Sequence, residues 1–177
     1  TKNWELVGIE LELCTQASAS NPSVFWYGFI DVVLRNTETN RIVLFDIKTS
    51  RSGWKASQKS DAMKSAQLVS YKNYFHQQFG VPKENIDVEF FIVKRKIVEE
   101  SMFPQKRIQN HRPASGTPTQ RKVQRQIDSF VEYCFDTEGN KLADKPYLAV
   151  AGKGSVNCKY CPFKTDYVNC PKENRIR

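Results

Sequence analysis

The stretch GFIDVVLRNTETNRIVLFDIKTS, residues 28–50, contains parts of two apolar runs that are separated by a polar turn. Residues 25–34 and 41–49 are rich in β-branched and aromatic side chains, which predicts the two strands of a hairpin. Each run nevertheless carries one aspartate among apolar neighbours, Asp31 in the first and Asp46 in the second. A buried carboxylate is costly unless it is paired or binds a metal, so these two residues mark a candidate site.

The expected register of the hairpin brings the two aspartates together. A loop with an even number of residues pairs Leu34 with Val43, and therefore Asp31 with Asp46. Directly opposed like charges destabilise a sheet, and Lys48 projects from the same side as Asp46, about 7 Å along the strand. Mg²⁺ offsets such repulsion because it prefers carboxylate, water and phosphate oxygens. The alternative is a structural Lys–Asp pair in a half-exposed hairpin, but the apolar context indicates a central strand pair buried on both faces.

An ordered set of residues around this pair resembles the PD-(D/E)XK nuclease superfamily. The set consists of Gly28-x-x-Asp31, Asp46-x-Lys48-Thr49-Ser50 and Gln67-x-x-x-Tyr71. The pattern is most similar to the RecB-like branch, which includes phage exonucleases and the exonucleases of CRISPR adaptation. The similarity extends from about residue 8 to residue 71, and a cysteine-containing tail lengthens it to most of the chain.

The resemblance implies a metal-dependent nuclease site. In that family the two aspartates and the main-chain carbonyl before the lysine bind the metal, and the lysine orients or activates water. These roles fall here to Asp31, Asp46, the carbonyl of Ile47 and Lys48.

A third acidic ligand is expected from the preceding strand. Glu10 and Glu12 are both candidates because they project from the same side of that strand. Analogy with the family favours Glu10. The ordinary alternative is a pair of solvent-facing glutamates on an edge strand.

The pattern from about residue 61 to residue 79 predicts a helix that ends at Gly80. Gln67 and Tyr71 are four positions apart and share one face of it. The resemblance implies that these two residues help to hold nucleic acid and the catalytic strand. Packing of the apolar face of the helix on the sheet is compatible with that role.

Further elements complete the domain. Alternation predicts strands over residues 4–13 and 86–93, and Thr117 followed by Pro118 predicts the start of a helix that runs to about residue 135. Three polar or aperiodic stretches are predicted as loops: 17–23, 51–60 and 99–116.

The predicted fold class is α/β, a restriction-endonuclease-like core with a mixed, mainly antiparallel central sheet flanked by helices. A chain of 177 residues is expected to form one core with a small appendage. We assign residues 1–150 to the nuclease core, which the resemblance indicates lacks an N-terminal helical part. Residues 151–177 are assigned to a cysteine-rich, metal-binding tail packed on the core.

A formal net charge of +8 favours a polyanionic partner. The basic loop after the strand at 86–93 is the best candidate for contacts with the DNA backbone, which are sequence-independent and salt-sensitive. Its cations are Lys94, Arg95, Lys96, Lys106, Arg107 and Arg112. In the same loop Phe103 is suited to stack on a base, and His111 is a weaker candidate for a phosphate contact. His76 is interpreted as a surface or boundary residue.

The tail places Cys158, Cys161 and Cys170 close together in sequence, which is typical of a metal site rather than of disulfides. Similar tails in iron–sulfur members of the RecB-like branch imply a [4Fe-4S] cluster with a fourth cysteine located before the nuclease core, for which Cys14 is the alternative. A structural Zn²⁺ site is the competing assignment. Cys134 is interpreted as a buried core thiol.

These features predict a Mg²⁺- or Mn²⁺-dependent DNA nuclease, an exonuclease that acts on single-stranded DNA or duplex ends in DNA repair or recombination. A partner protein that supplies helicase or recombinase activity is expected. Two alternatives stay open: a non-catalytic nuclease-like DNA-binding module with a zinc knuckle, and an RNA-directed nuclease of the same fold. No apolar run is long enough to cross a bilayer and nothing resembles a signal peptide, so we expect no membrane partner and a cytoplasmic location in a bacterium or a phage-infected cell.

Overall fold

The computed structural model describes residues 3–143, 149–151 and 157–176. It divides into two compact units, Thr1–Asn140 and Lys141–Arg177, which are described separately below. The first unit contains the predicted motifs, and the second contains the three clustered cysteines.

The described residues of the first unit form an α/β domain with five strands and three α-helices. In chain order they are β1 (Trp4–Ser18), β2 (Asn21–Asn36), β3 (Ile42–Ser50), α1 (Ala56–Lys59), α2 (Ala62–Phe79), a 3₁₀ turn (Lys83–Asn85), β4 (Ile86–Lys94), β5 (Ile108–His111) and α3 (Thr117–Cys134). The second unit pairs two short parallel strands, β6 (Ala149–Val150) and β7 (Arg175–Ile176), the latter preceded by a 3₁₀ turn (Lys172–Asn174).

The five strands of the first unit form a single mixed sheet in the order β1-β2-β3-β4-β5. β3 and β4 run parallel, and the other neighbouring pairs are antiparallel. The prediction of a mixed, mainly antiparallel sheet is therefore confirmed. Leu34 pairs with Val43, which also confirms the predicted hairpin register.

Helix α2 is the crossover between the two parallel strands and covers the core of the sheet. Asp61 caps it by accepting a hydrogen bond from the Met63 N–H at 3.0 Å, and Gly80 ends it in the left-handed conformation with φ of 68°. Its buried side chains, with Leu68 and Phe75 among them, pack in one cluster with apolar residues of β2, β3 and β4. This packing fixes α2 over the strands that carry the aspartates.

Burial of the central strands on both faces is confirmed only for part of β3. Ile42, Val43 and Leu44 are all buried at its start, whereas Ile47 near its end is 44% exposed. Phe29 on β2 is 40% exposed as well. The expectation of a strand pair buried on both faces was therefore wrong at the end that carries the aspartates.

The predicted loop over 17–23 was also wrong, because β1 and β2 continue through most of it into a tight turn. Ser18 and Asn21 are buried there, at 2% and 6% exposure. Their side chains donate to the Asp128 carboxylate at 2.7 Å and to the Asp136 carbonyl at 2.6 Å. Polar composition suggested a loop, but partners that are distant in sequence satisfy these groups inside the fold.

Two short elements lie in the other predicted loops. Residues 56–59 form α1, and residues 108–111 form the edge strand β5, which pairs Phe90 with His111. Elements this short carry too few residues to show periodicity. Helix α3 begins at the predicted Thr117, but Gly116 holds the N-cap position and supplies no capping side chain. No helix within the described residues has the length and apolar character that spanning a bilayer requires.

Candidate active site

The two motif aspartates lie opposite each other on neighbouring strands. The β2–β3 ladder ends with Val32 paired to Phe45, so the next positions on the two strands are Asp31 and Asp46. The aspartates therefore meet where regular backbone pairing between β2 and β3 stops. Side chains from both strands converge on that point.

A third acidic residue continues the same row on β1. The pairs that Ile9 and Leu11 form with β2 place Glu10 opposite Asp31. Glu10 has a φ of 49°, which an L-residue other than glycine adopts at a cost, and its side chain is exposed. Glu10, Asp31 and Asp46 thus form one row across three adjacent strands, whereas Glu12 lies opposite Phe29, two positions away.

The alternation of β2 is interrupted at Asp31. Ile30 and Val33 both belong to the same buried core cluster although they are three positions apart. In a regular strand, residues an odd number of positions apart face opposite sides. Asp31 and Val32 lie at this interruption. Local irregularities of this kind are common next to active sites.

Asp46 is the most buried charged group of the site, at 2% exposure. The Lys48 ammonium lies 3.0 Å from Oδ1, where it donates a hydrogen bond, and 2.8 Å from Oδ2, to which its geometry gives no hydrogen bond. Burial raises the pKa of Asp46; Lys48 opposes this rise and the neighbouring Asp31 adds to it. Oδ2 is therefore buried beside the ammonium without a hydrogen bond of its own, and the net effect of the surroundings is a raised pKa.

Asp31 bridges the gap between β2 and β3. Its Oδ2 accepts a hydrogen bond from the backbone N–H of Ile47 at 2.5 Å. The N–H and C=O groups of one strand residue point to the same edge of the strand. The carbonyl of Ile47 therefore points toward the same strand edge as Asp31. This is the orientation that a metal ligand between the two carboxylates requires.

The predicted helix motif is connected directly to β3. The Lys48 ammonium donates to Oε1 of Gln67 at 3.2 Å, and Nε2 of Gln67 donates to the Tyr71 hydroxyl at 2.9 Å. Burial raises the pKa of Tyr71, and the charges of Asp46 and Asp31 add to the effect, so its hydroxyl keeps a proton that it can donate. The relay Asp46–Lys48–Gln67–Tyr71 fixes the position of the ammonium.

The residues of the row suit a hard divalent cation. Oδ2 of Asp46 lacks a hydrogen bond, Asp31 contributes a second carboxylate, and the Ile47 carbonyl is an oxygen donor of the type that Mg²⁺ and Mn²⁺ prefer. Within the part of the chain that the structure describes, no three side chains of His, Cys, Asp or Glu are grouped closely enough to hold a metal by themselves. The side chain of Glu10 is therefore not gathered with the two aspartates, and its role as a third ligand stays a prediction.

The start of the basic loop lies beside the end of the catalytic strand. Lys94 pairs with Ser50, two positions beyond Lys48. The backbone N–H groups of Arg95 and Lys96 donate to carbonyls of the β3 end at 2.8 and 2.7 Å, which extends the parallel pairing past the strands. Open α/β sheets bind ligands outside the carboxyl ends of their parallel strands, and these cations lie at that end.

The remaining predicted contact residues occupy different environments. Arg107 donates to the Lys94 carbonyl at 3.0 Å, Arg112 forms an ion pair with the buried Glu89, and Lys106 is exposed. His111 bonds the Lys59 carbonyl at 3.1 Å and stacks on Phe90 instead of standing in a loop. Phe103 is 78% exposed and available for stacking, and the His76 ring bonds the Val81 carbonyl at 2.8 Å.

An apolar cleft of about 600 Å³ beside the motif residues was not predicted from the sequence. It extends from Gly28, Gln67 and Tyr71 along β2 to α3. In it the Trp26 indole stacks on Tyr74 at 5.0 Å, and its buried N–H has no hydrogen-bond partner among the described residues. The continuous aromatic run at residues 25–27 was the available signal.

In the second unit, Cys158, Cys161 and Cys170 are partly exposed free thiols. The N–H of Cys161 donates to the Cys158 carbonyl at 3.3 Å, and the Cys170 carbonyl accepts from the Arg175 guanidinium at 2.8 Å. Within the described residues these thiols do not form a ready metal centre.

In the first unit Cys134 is 7% exposed, which confirms its interpretation as a buried thiol, and Cys14 is exposed.

Comparison with known proteins identifies the family of this chain. Residues 1–165 match the model of the PD-(D/E)XK nuclease superfamily, whereas a comparison with curated proteins gives no match. Among solved structures, the crystal structure of SSO0001 superposes with a TM-score of 0.44 and 16% sequence identity over 94% of this chain. This chain spans 60% of the length of that protein. Because the family match covers nearly the whole sequence, the chain belongs to the PD-(D/E)XK nuclease superfamily.

Proposed function

We propose that this chain is a Mg²⁺- or Mn²⁺-dependent deoxyribonuclease with its active site at Asp31, Asp46 and Lys48. Membership of the superfamily implies a metal-dependent nuclease in general. One observation supports this particular site more than any other: the buried Asp46 carboxylate, whose pKa is raised and whose Oδ2 lacks a hydrogen bond. A protein retains so costly a group most readily where a cation relieves it.

In the proposed mechanism each residue has one task. Asp31, Asp46 and the Ile47 carbonyl would hold the cation, which would supply a water of lowered pKa and neutralise charge on the phosphate. The Lys48 ammonium lies beside the attacked phosphate and stabilises the negative charge that develops there. Gln67 holds this ammonium in place through its 3.2 Å hydrogen bond, so the group is oriented before substrate arrives.

The intact relay favours catalysis over the alternative of a nuclease-like module that only binds DNA. A module that only binds DNA has no need of an ammonium held at once against a buried carboxylate and Gln67, whereas cleavage needs such a fixed cation beside the attacked phosphate. The resemblance to the RecB-like branch further supports digestion from DNA ends. We therefore propose an exonuclease that accepts single-stranded DNA or duplex ends.

A comparison of linear and circular substrates tests whether digestion requires DNA ends. With Mg²⁺ or Mn²⁺ we expect the protein to degrade linear DNA and to leave covalently closed circular DNA of the same sequence intact. Addition of a chelator should stop the reaction, and an RNA of the same sequence is the matched control for sugar preference. Cleavage of the circle at a similar rate would show that the protein is an endonuclease. Faster cleavage of the RNA would show that RNA, and not DNA, is the preferred substrate.

The basic loop is expected to supply sequence-independent affinity. Replacing Lys94, Arg95 and Lys96 by Gln should weaken DNA binding about equally for all sequences. Loss of three phosphate contacts should lower the slope of log K against log salt by about 2 to 3. Fluorescence anisotropy over a salt series, in an Asp46→Asn background that prevents cleavage, measures this slope.

The matched control for the loop removes charge from α3 through Lys122→Gln and Arg125→Gln, two exposed residues. We expect a smaller change of the salt slope in this control. An equal change in both variants would indicate that net charge, and not the loop beside β3, determines the binding.

For the tail we propose a [4Fe-4S] cluster on Cys158, Cys161 and Cys170, with structural Zn²⁺ as the alternative. Their spacing and the resemblance support this proposal. Metal analysis and the visible absorption spectrum of anaerobically purified protein distinguish iron–sulfur from zinc.

A further inference from the structure

A second polar cleft, of about 580 Å³, lies between α2, the 3₁₀ turn at Lys83–Asn85 and the start of α3. The active-site relay uses Gln67 and Tyr71 of α2, whereas this cleft is lined by the residues that follow them. Its charged residues are Lys72, Lys83, Arg121 and Glu84. Three cations against one carboxylate give the cleft an excess of positive charge.

Lys72 is the unusual member of this set because it is only 8% exposed. Among the described residues its ammonium forms no hydrogen bond and no salt bridge. The carboxylate of Asp87 acts on it electrostatically but is already bound by Arg41, at 3.0 and 2.8 Å. Burial lowers the pKa of Lys72, and the nearby cations Arg41 and Lys83 act in the same direction.

Asn73, the next residue, adds a second uncompensated group. It lines the same cleft, is 6% exposed, and its Oδ1 has no hydrogen-bond partner in the described part of the chain. An acceptor that is buried without a donor costs free energy. A ligand that fits the cleft should therefore combine negative charge with one hydrogen-bond donor.

The N-terminus of α3 contributes a third attraction for an anion. The N-cap Gly116 has no side chain to satisfy the first-turn N–H groups, and no acidic residue occupies that turn. Thr117 of this turn lines the cleft together with Arg121. In an 18-residue helix the unsatisfied N–H groups and the macrodipole favour a bound anion at this end.

We propose that this cleft binds a phosphate monoester or inorganic phosphate through Lys72, Lys83, Arg121 and the N-terminus of α3. Such an anion supplies negative charge to the Lys72 ammonium and, in its monoprotonated form, a P–OH donor for Asn73. A phosphodiester within a DNA chain carries no such donor, which separates this site from the basic loop. The inference stands independently of nuclease activity, because binding is measured on metal-free protein.

Titration of metal-free protein with inorganic phosphate, at constant ionic strength against chloride, tests the proposal. We expect phosphate to raise the melting temperature and to bind with a measurable heat. Lys72→Met and Arg121→Gln should each weaken binding by about tenfold or more, since each removes a charge-assisted contact. Lys122→Gln, which removes one charge from α3 outside this cleft, should bind as the unmodified protein does.

Further arms of the titration identify the ligand. A deoxynucleoside 5′-monophosphate that binds more tightly than phosphate assigns the cleft to nucleotides, and the reverse order assigns it to free phosphate. Sulfate has the charge but no donor at neutral pH and should bind more weakly. The proposal is overturned if phosphate acts no differently from chloride or sulfate, or if the exposed Arg121→Gln, whose fold is not in question, binds phosphate unchanged.

Discussion

Asp46→Asn is expected to reduce metal-dependent cleavage by about a thousandfold or more, equivalent to about 4 kcal/mol of transition-state stabilisation. The substitution keeps the shape of the side chain but removes the buried charge that holds the cation. A single-turnover assay on labelled linear DNA, with Mg²⁺ or Mn²⁺ at saturation, measures the loss. Asp87→Asn is the matched control, since this carboxylate also lies on a sheet strand but is bound by Arg41. It should cleave at nearly the normal rate.

The same substitution should leave the metal-free fold at least as stable at neutral pH. The pKa of Asp46 is raised in the folded protein above its ordinary value of 3.8. Below that value the group is protonated in both states and carries no penalty. As pH rises through it, the unfolded chain ionises first, so stability falls until pH passes the folded-state pKa. Asp46→Asn removes this fall, whereas Asp87→Asn should lose stability because Arg41 loses its partner.

Cation binding should reverse the penalty in the unmodified protein. Mg²⁺ or Mn²⁺ binds only the folded row, and at about a hundred times the dissociation constant it should add about 2.7 kcal/mol. Chemical unfolding with and without the cation, at several pH values, measures both effects. If Asp46→Asn keeps the cation-dependent gain, or cleaves at the rate of the unmodified protein, the metal site has been assigned to the wrong residue.

The pairing of Asp31 with Asp46 could be predicted because it depends only on local rules. Alternation locates the two strands, and an even loop sets their register, so the positions of the aspartates follow from the sequence between them. The cap at Asp61 and the stop at Gly80 are similarly local and set the limits of α2. Local signals therefore sufficed for the strands and the helix that carry the motif.

Features that depend on distant partners could not be predicted. The interruption of β2 at Asp31, shown by the burial of both Ile30 and Val33, accompanies the positive φ of Glu10 on the adjacent β1, and no local pattern indicates either. Ser18 has the polar character of a loop residue, but it is buried because Asp128 of α3 accepts its hydrogen bond. The near-complete burial of Lys72 contradicts the usual exposure of lysine, and no local pattern in α2 indicates it.

Lys48→Met is expected to separate cation binding from catalysis. Methionine keeps most of the length of lysine without its charge, so the oxygens of Asp46 and the Ile47 carbonyl remain in place. We expect the stabilisation by Mg²⁺ or Mn²⁺ to persist or grow, because the ammonium that lies 2.8 Å from Oδ2 of Asp46 no longer competes for it. Cleavage should fall by about a hundredfold to a thousandfold, since charge developing on the phosphate loses its nearest fixed cation.

Stability without metal gives an independent measure of the same substitution. The Lys48 side chain is 36% exposed, but its partner Asp46 is only 3% exposed. Loss of the ammonium leaves a buried carboxylate without its cation, so it should cost more than the roughly 1 kcal/mol of an exposed pair. Lys64→Met provides the exposed-pair reference, because the Asp61 carboxylate that Lys64 pairs with at the start of α2 is 34% exposed. It should lose less stability than Lys48→Met while cleaving normally. Loss of the cation-dependent gain in Lys48→Met would instead make Lys48 a structural residue that positions Asp46, and the proposed division of roles between the carboxylates and the ammonium would be wrong.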